Sequence, residues 1–178
     1  DRRQGQCFGV ALDPEEKHAR FSSIREEYVE YIFLSELCSH AWRINRFVEV
    51  ARSNTDAFGY DVILSCNGTV RHVQLKATRA NGSASRQKIN SALSEAPSGC
   101  VIWLYVDDQT LEPIKFGWFG AGAMEKLPDL GDKVALHTRD NAEGTKSPRS
   151  AIRELKKRSF EWFDQIEQVF ERLFPAKG

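Results

Sequence analysis

Three segments of this sequence predict an α/β fold built on a mixed sheet flanked by helices. Residues 24–41 read as a buried helix, residues 60–77 as a β-hairpin around Asn67-Gly68, and GCVIWLYVDD from Gly99 as a central strand. Residues 1–21 mix Gly, Gln, Pro and charge without a period, which predicts an irregular lead-in to one folded unit over 22–178. From Ser22, SSIREE has the form of a Ser cap with acids in the first turn, and YVEYIFLSELCSHAW after it is apolar on most sides. A polar stretch, ARSNTDAFG, leads into YDVILSC and TVRHVQLKA, and Asn-Gly between them favours the positive φ of a two-residue hairpin turn.

TRANGSASRQ is expected to be a loop opening a short helix near 85–96, which Pro97-Ser98-Gly99 ends. The continuous apolar run CVIWLYV suits a strand covered on both faces, and PIKFGWFGAG its partner after a turn near 108–112. LPDLGD and HTRDNAEGTKSPRS read as loops. For the ending, a short strand near 151–156 and a helix over 164–174 are preferred to one long helix, because Asp164-x-x-Glu167 has the form of a fresh capping box.

The 178 residues are enough for one domain with a substantial core, and 11 Phe, 4 Trp and 4 Tyr supply its bulk. With 25 basic and 25 acidic residues there is no global field toward nucleic acid or an anionic membrane, so any such binding must come from local charge. The longest apolar run falls far short of a bilayer span, which argues against a membrane partner. Cys7, Cys38, Cys66 and Cys100 lie far apart without a CxxC, so reduced, mostly buried thiols of a cytoplasmic protein are expected. The chain opens on Asp1 and its only methionine is Met124, so it reads as trimmed from a longer one.

If Asn67 and Gly68 are the two turn residues, Cys66 faces Thr69 and Asp61 faces Gln74, with Lys76 on the same face two residues on. Tyr60, Val62, Leu64, Val73, Leu75 and Ala77 then share the opposite, dry face. Asp and amide oxygens, phosphate and water are ligands that magnesium accepts, so this triad suits phosphodiester cleavage. Lys76 would orient the attacking water and stabilise charge on the phosphate. Gln74 offers only a neutral oxygen, which predicts weaker ion affinity than a second carboxylate would give.

Gly59-Tyr60-Asp61, a hairpin, then Gln74-Leu75-Lys76, behind a helix bearing glutamates, resembles the PD-(D/E)XK nuclease superfamily in its QxK variant. The order of elements over 24–106 is similar to that family's αβββαβ core, with the later strand and helix as additions, and REEYVEY to QLKA and PSGCVIW look similar to uncharacterised bacterial proteins of this class. The resemblance implies a restriction-endonuclease-like fold and a metal-dependent endonuclease acting on DNA, with RNA left open, in bacterial defence or restriction. It implies Mg2+, or Mn2+ in its place, on Asp61 and Gln74, catalysis by Asp61, Gln74 and Lys76, and an auxiliary acid from the helix. Glu30, on a stripe with Leu34 and Leu37, is preferred over Glu27. A homodimer or protein partners of a defence system fit the same resemblance. The alternative is a nuclease-fold nucleic-acid-binding or assembly module that does not cut.

Arg79, Arg86 and Lys88 follow the site and are expected to contact DNA. Residues 137–158 hold seven basic residues against three acids, Lys156, Lys157 and Arg158 among them, which could track a phosphate backbone or be a solvated face. His72 could reach substrate but reads more simply as a surface histidine, and His40 as a partner of its helix end. Trp103 and Phe116 are core by pattern. Trp118, beside glycines, is a candidate base platform, and KFGWFGAG a candidate docking surface.

Overall fold

The computed structural model describes residues 13–136 and 148–176. Helix α1 (Pro14–Arg20) starts at Asp13, whose carboxylate accepts from the Glu15 N–H, with Pro14 at the first turn. These residues were expected to be irregular, and the signal there is a cap followed by about two turns, too short to show a period. Helix α2 (Ser22–Arg43) follows after Phe21, so Ser22 lies inside a helix and does not cap it. Its buried stripe is Val29, Phe33, Leu37 and Ala41, spaced by four, which sets one line of side chains against the sheet.

Strand β1 (Glu49–Arg52) is exposed along its whole length. Strands β2 (Val62–Cys66) and β3 (Thr69–Arg79) form the expected hairpin, with Cys66 opposite Thr69 and Val62 opposite Val73. Asn67 at φ 50° and Gly68 at φ 79° supply the left-handed pair of the turn. Where a helix near 85–96 was expected, the chain makes strand β4 (Arg86–Asn90) and then a 3-10 turn over Ser91–Glu95, capped by the Asn90 side chain. RQKIN is polar enough to pass for a helix surface, and it becomes a strand by pairing with residues more than sixty positions later.

Strand β5 (Gly99–Val106) lies parallel to β3 and antiparallel to β6 (Pro113–Gly120). Then come β7 (Val134–Leu136), β8 (Pro148–Lys156), β9 (Glu161–Phe163) and helix α3 (Ile166–Leu173). The mixed six-stranded sheet has the order β1-β2-β3-β5-β6-β9, and a second sheet has the order β4-β8-β7. Gln165 caps α3 without a side-chain bond, so the expected Asp164 capping box does not form.

β5 separates two cores. Cys100, Ile102, Leu104 and Val106 pack with α2 and α3, whereas Val101, Trp103 and Tyr105 pack with Ile89, Leu93, Leu155 and Phe160 on the side of the second sheet. Helices thus cover one face and strands much of the other, where a sheet flanked by helices was expected. Trp103 and Phe116 are buried as expected, but so is Trp118, at 6% exposed, and KFGWFGAG is an interior strand whose large rings are turned inward. Among the described residues no helix is long and apolar enough to cross a membrane. Cys66 and Cys100 are buried and Cys38 half-buried, all as free thiols, and burial pushes the Cys100 thiol up to about 12.

Candidate functional site

The site lies where the hairpin forks. The β2–β3 ladder ends at Val62 opposite Val73, yet β3 runs on to Arg79, so the edge of β3 loses its partner there. Asp61 takes that partner's place: its N–H donates to the Val73 carbonyl at 2.9 Å and its Oδ2 accepts from the Leu75 N–H at 2.6 Å. A carboxylate that accepts from the backbone one residue from Gln74 and one from Lys76 is fixed in place by the fold. Its own carbonyl accepts from the Ser53 N–H at 2.8 Å, tying it to the end of β1.

The register expected from the turn holds as far as Val62 opposite Val73, but the expected rung of Asp61 opposite Gln74 does not form: Asp61 bonds Val73 and Leu75 on either side of Gln74, and the faces change there. Tyr60 does not join Val62 on the dry face; its ring stands edge-on to His72, 4.7 Å between centroids, and packs toward the second core. Gly59 makes the turn that allows this, at φ +74°, where an added Cβ would meet the Leu93 nitrogen at 2.7 Å. Residues 59–61 therefore leave the strand geometry that the alternation rule assumes.

Around this fork is a cleft of about 930 Å3, and Asp61, Gln74, Lys76, Glu27 and Glu30 all line it. Glu27 and Glu30 come from α2 on one side, and Arg86, Lys88 and Glu154 from the second sheet on the other. Gln74 is 6% exposed, and its Oε1 accepts from the Asn90 N–H at 3.3 Å, leaving one lone-pair direction on that oxygen. Glu30 is paired with Arg52 at 2.6 Å, and Glu27 accepts from the Tyr31 hydroxyl. A smaller recess of about 280 Å3 adjoins, sharing Glu27, Glu30, Tyr60 and Asp61 and adding Arg52.

The expected DNA contacts divide. Arg86 and Lys88 border the cleft, Arg86 in an ion pair with Glu154 at 2.9 Å. Lys133 reaches the same Glu154 oxygen at 2.9 Å, and its hydrogen bond and that of Arg86 hold the Glu154 carboxyl below the usual range. Arg79 is instead spent on structure, gripping Glu15 of α1 with two bonds and Asp108 after β5 with a third. Lys156, Lys157 and Arg158 are exposed but do not line the cleft, and the Lys157 ammonium lies over the Tyr105 ring at 4.5 Å. Of the same stretch, Arg149 and Arg153 lie in β8, and the part over 137–147 lies outside the described residues.

His72 does not line the cleft: its Nδ1 lies 2.6 Å from the Pro97 carbonyl, which can only accept, so that nitrogen carries the proton. His40 lies in the last turn of α2, as expected, and also reaches Glu167 of α3 at 3.5 Å and packs edge-on to Phe170, linking the two helices. Sequence reading missed Arg52, Tyr60, Asn90 and Glu154. The only local signal for Arg52 was a cation just before a turn-rich stretch, and the other three reach the cleft through the turn at Gly59 and the long-range β4–β8 pairing.

Among the described residues no three His, Cys, Asp or Glu side chains gather into a ready-made ion cage. The oxygens present still fit a hard divalent ion that keeps most of its water: one carboxylate anchored by the backbone and one amide oxygen with a lone pair to give. Compared with protein-family models and with curated proteins, the sequence matches none.

Proposed function

We propose that this protein is a metal-dependent endonuclease of the PD-(D/E)XK superfamily that hydrolyses phosphodiester bonds of DNA. The observation that carries the reading is the fork in the hairpin, which brings an anchored Asp61, Gln74 and Lys76 to one cleft with α2 glutamates on its wall. The αβββ order of α2, β1, β2 and β3, followed by β5 parallel to β3, supports the same reading.

Asp61 and Gln74 would hold Mg2+ or Mn2+, and the bound ion would polarise the phosphate and acidify its water. Asp61 cannot swing away while the Leu75 N–H holds it, so its free-energy cost of ordering is met in folding. Lys76 presents a compact cation to the phosphate oxygens as charge accumulates on them. Arg86 and Lys88, on the wall formed by the second sheet, would hold neighbouring phosphates. Supercoiled plasmid incubated with the protein and Mg2+ should be nicked, and Asp61→Ala and Lys76→Ala should each abolish nicking. Nicking that survives both substitutions would discard the site.

A second reading has an observation of its own. The Gln74 oxygen is already engaged by the Asn90 N–H, which suits a nucleic-acid-binding module that has lost its ion. Plasmid retained in gel shifts but intact with Mg2+ and with Mn2+ would select it.

A further inference from the structure

We propose that Arg52 is a resident cation in the position a second divalent ion would take beside Glu30, so that the cleft binds one ion and not two. The inference rests on the nuclease reading above and decides what the α2 acids do in it.

Arg52 is the last residue of β1, opposite Val62, and the next residue's N–H is bonded to the Asp61 carbonyl at 2.8 Å. The backbone therefore fastens Arg52 beside the strand entrance that carries Asp61. Its side chain is fixed from three directions. Nη2 lies 2.6 Å from Glu30 Oε1, the guanidinium lies over the Tyr31 ring at 4.4 Å, and Nη1 donates to the Tyr31 hydroxyl at 3.2 Å. That hydroxyl in turn donates to Glu27, so both α2 glutamates are tied to one guanidinium, one directly and one through Tyr31.

Glu27, Glu30 and Asp61 all line the small recess, and Arg52 lines it with them. Carboxylates that share so small a volume need positive charge between them. Two-ion phosphoryl hydrolases supply it with a second divalent metal. Here a group that stays protonated at any ordinary pH supplies it, held by a planar fork that cannot leave with the product. Glu30 Oε1 then lies against the Arg52 guanidinium, which makes Glu30 a positioning residue rather than an ion ligand. Removing the guanidinium would leave carboxylates facing the space it filled, which is the oxygen-only environment a divalent ion accepts.

Mn2+ titration of the protein without DNA, with free ion counted by electron paramagnetic resonance, reads this without any activity. The wild type should bind one ion, Arg52→Lys one, and Arg52→Met two, the second being lost again when Glu30→Gln is added. Arg52 is 41% exposed on an edge strand, so its replacement removes no core packing. Two ions in the wild type, or one in Arg52→Met, would overturn the role of Arg52 and leave the nuclease reading standing. No ion in the wild type would overturn that reading and this inference together.

Discussion

Two cations on one strand, five residues apart, meet opposite fates. Arg71 lies on the face of β3 that packs toward α3, only 1% exposed, and donates to the carbonyls of Leu173, Ala121, Gly122 and Arg172. Two of those carbonyls belong to the end of α3, where the helix dipole is negative, so the charge is balanced by oriented peptide groups. Burial pulls the Arg71 guanidinium down from its usual value, the direction expected where desolvation outweighs attraction. Lys76 points to the other face, half-buried, and lines the cleft with Asp61 and Gln74. A cation whose donors are consumed by the fold serves the fold. A cation that faces an open volume beside fixed oxygen donors can serve a ligand.

Arg71→Met breaks this contrast most severely. It strands carbonyls in two segments, the end of α3 and Ala121–Gly122, and should lower the unfolding free energy by about 3–5 kcal/mol, measured by urea denaturation. Nicking per folded molecule should be unchanged, because Arg71 does not border the cleft. Lys76→Ala should do the reverse, costing under about 1 kcal/mol of stability while abolishing detectable nicking, a loss of at least roughly 10²–10³-fold. Equal stability losses in the two variants would erase the distinction between the faces.

Charge outside the cleft gives a smaller effect. Replacing Lys156, Lys157 and Arg158 with glutamine should weaken duplex binding and flatten its salt dependence by about 0.9 log units per lost phosphate contact, without altering the nicking of bound plasmid. An unchanged salt slope would assign the stretch to a solvated face. The smallest effect concerns Glu154. Because Lys133 and Arg86 depress its folded value below the unfolded one, its contribution to stability is present above the unfolded value and lost as pH falls through the folded value. The gap in urea midpoint between wild type and Glu154→Gln should therefore shrink on going from about pH 7 to about pH 3. A gap that stays constant would mean the triad with Lys133 and Arg86 adds nothing.

Much of this organisation was legible in the residues. Apolar spacing located α2 within two residues at each end, and Asn67-Gly68 set the hairpin register as far as Val62 opposite Val73. The continuous run from Gly99 gave β5, and the ending resolved into a strand and a helix. What escaped had no local pattern. β1 is four exposed residues with no apolar pattern, paired to β2, and β4, β7 and β9 are short strands whose partners lie elsewhere in the chain. The candidate site was legible as a set of residue types, and all five proposed catalytic residues border one cleft. Its geometry was not, because the turn at Gly59 breaks the two-residue alternation at the point where Tyr60 and Asp61 enter, and because Arg79, though close in sequence, is claimed by Glu15 and Asp108.

The most direct measurement is anomalous diffraction from crystals soaked in Mn2+. One peak is expected in the cleft, bonded to Asp61 and to the Gln74 side-chain oxygen, with Arg52 still on Glu30. A cleft without a peak, or a peak that leaves Gln74 bonded only to the Asn90 N–H, would contradict it.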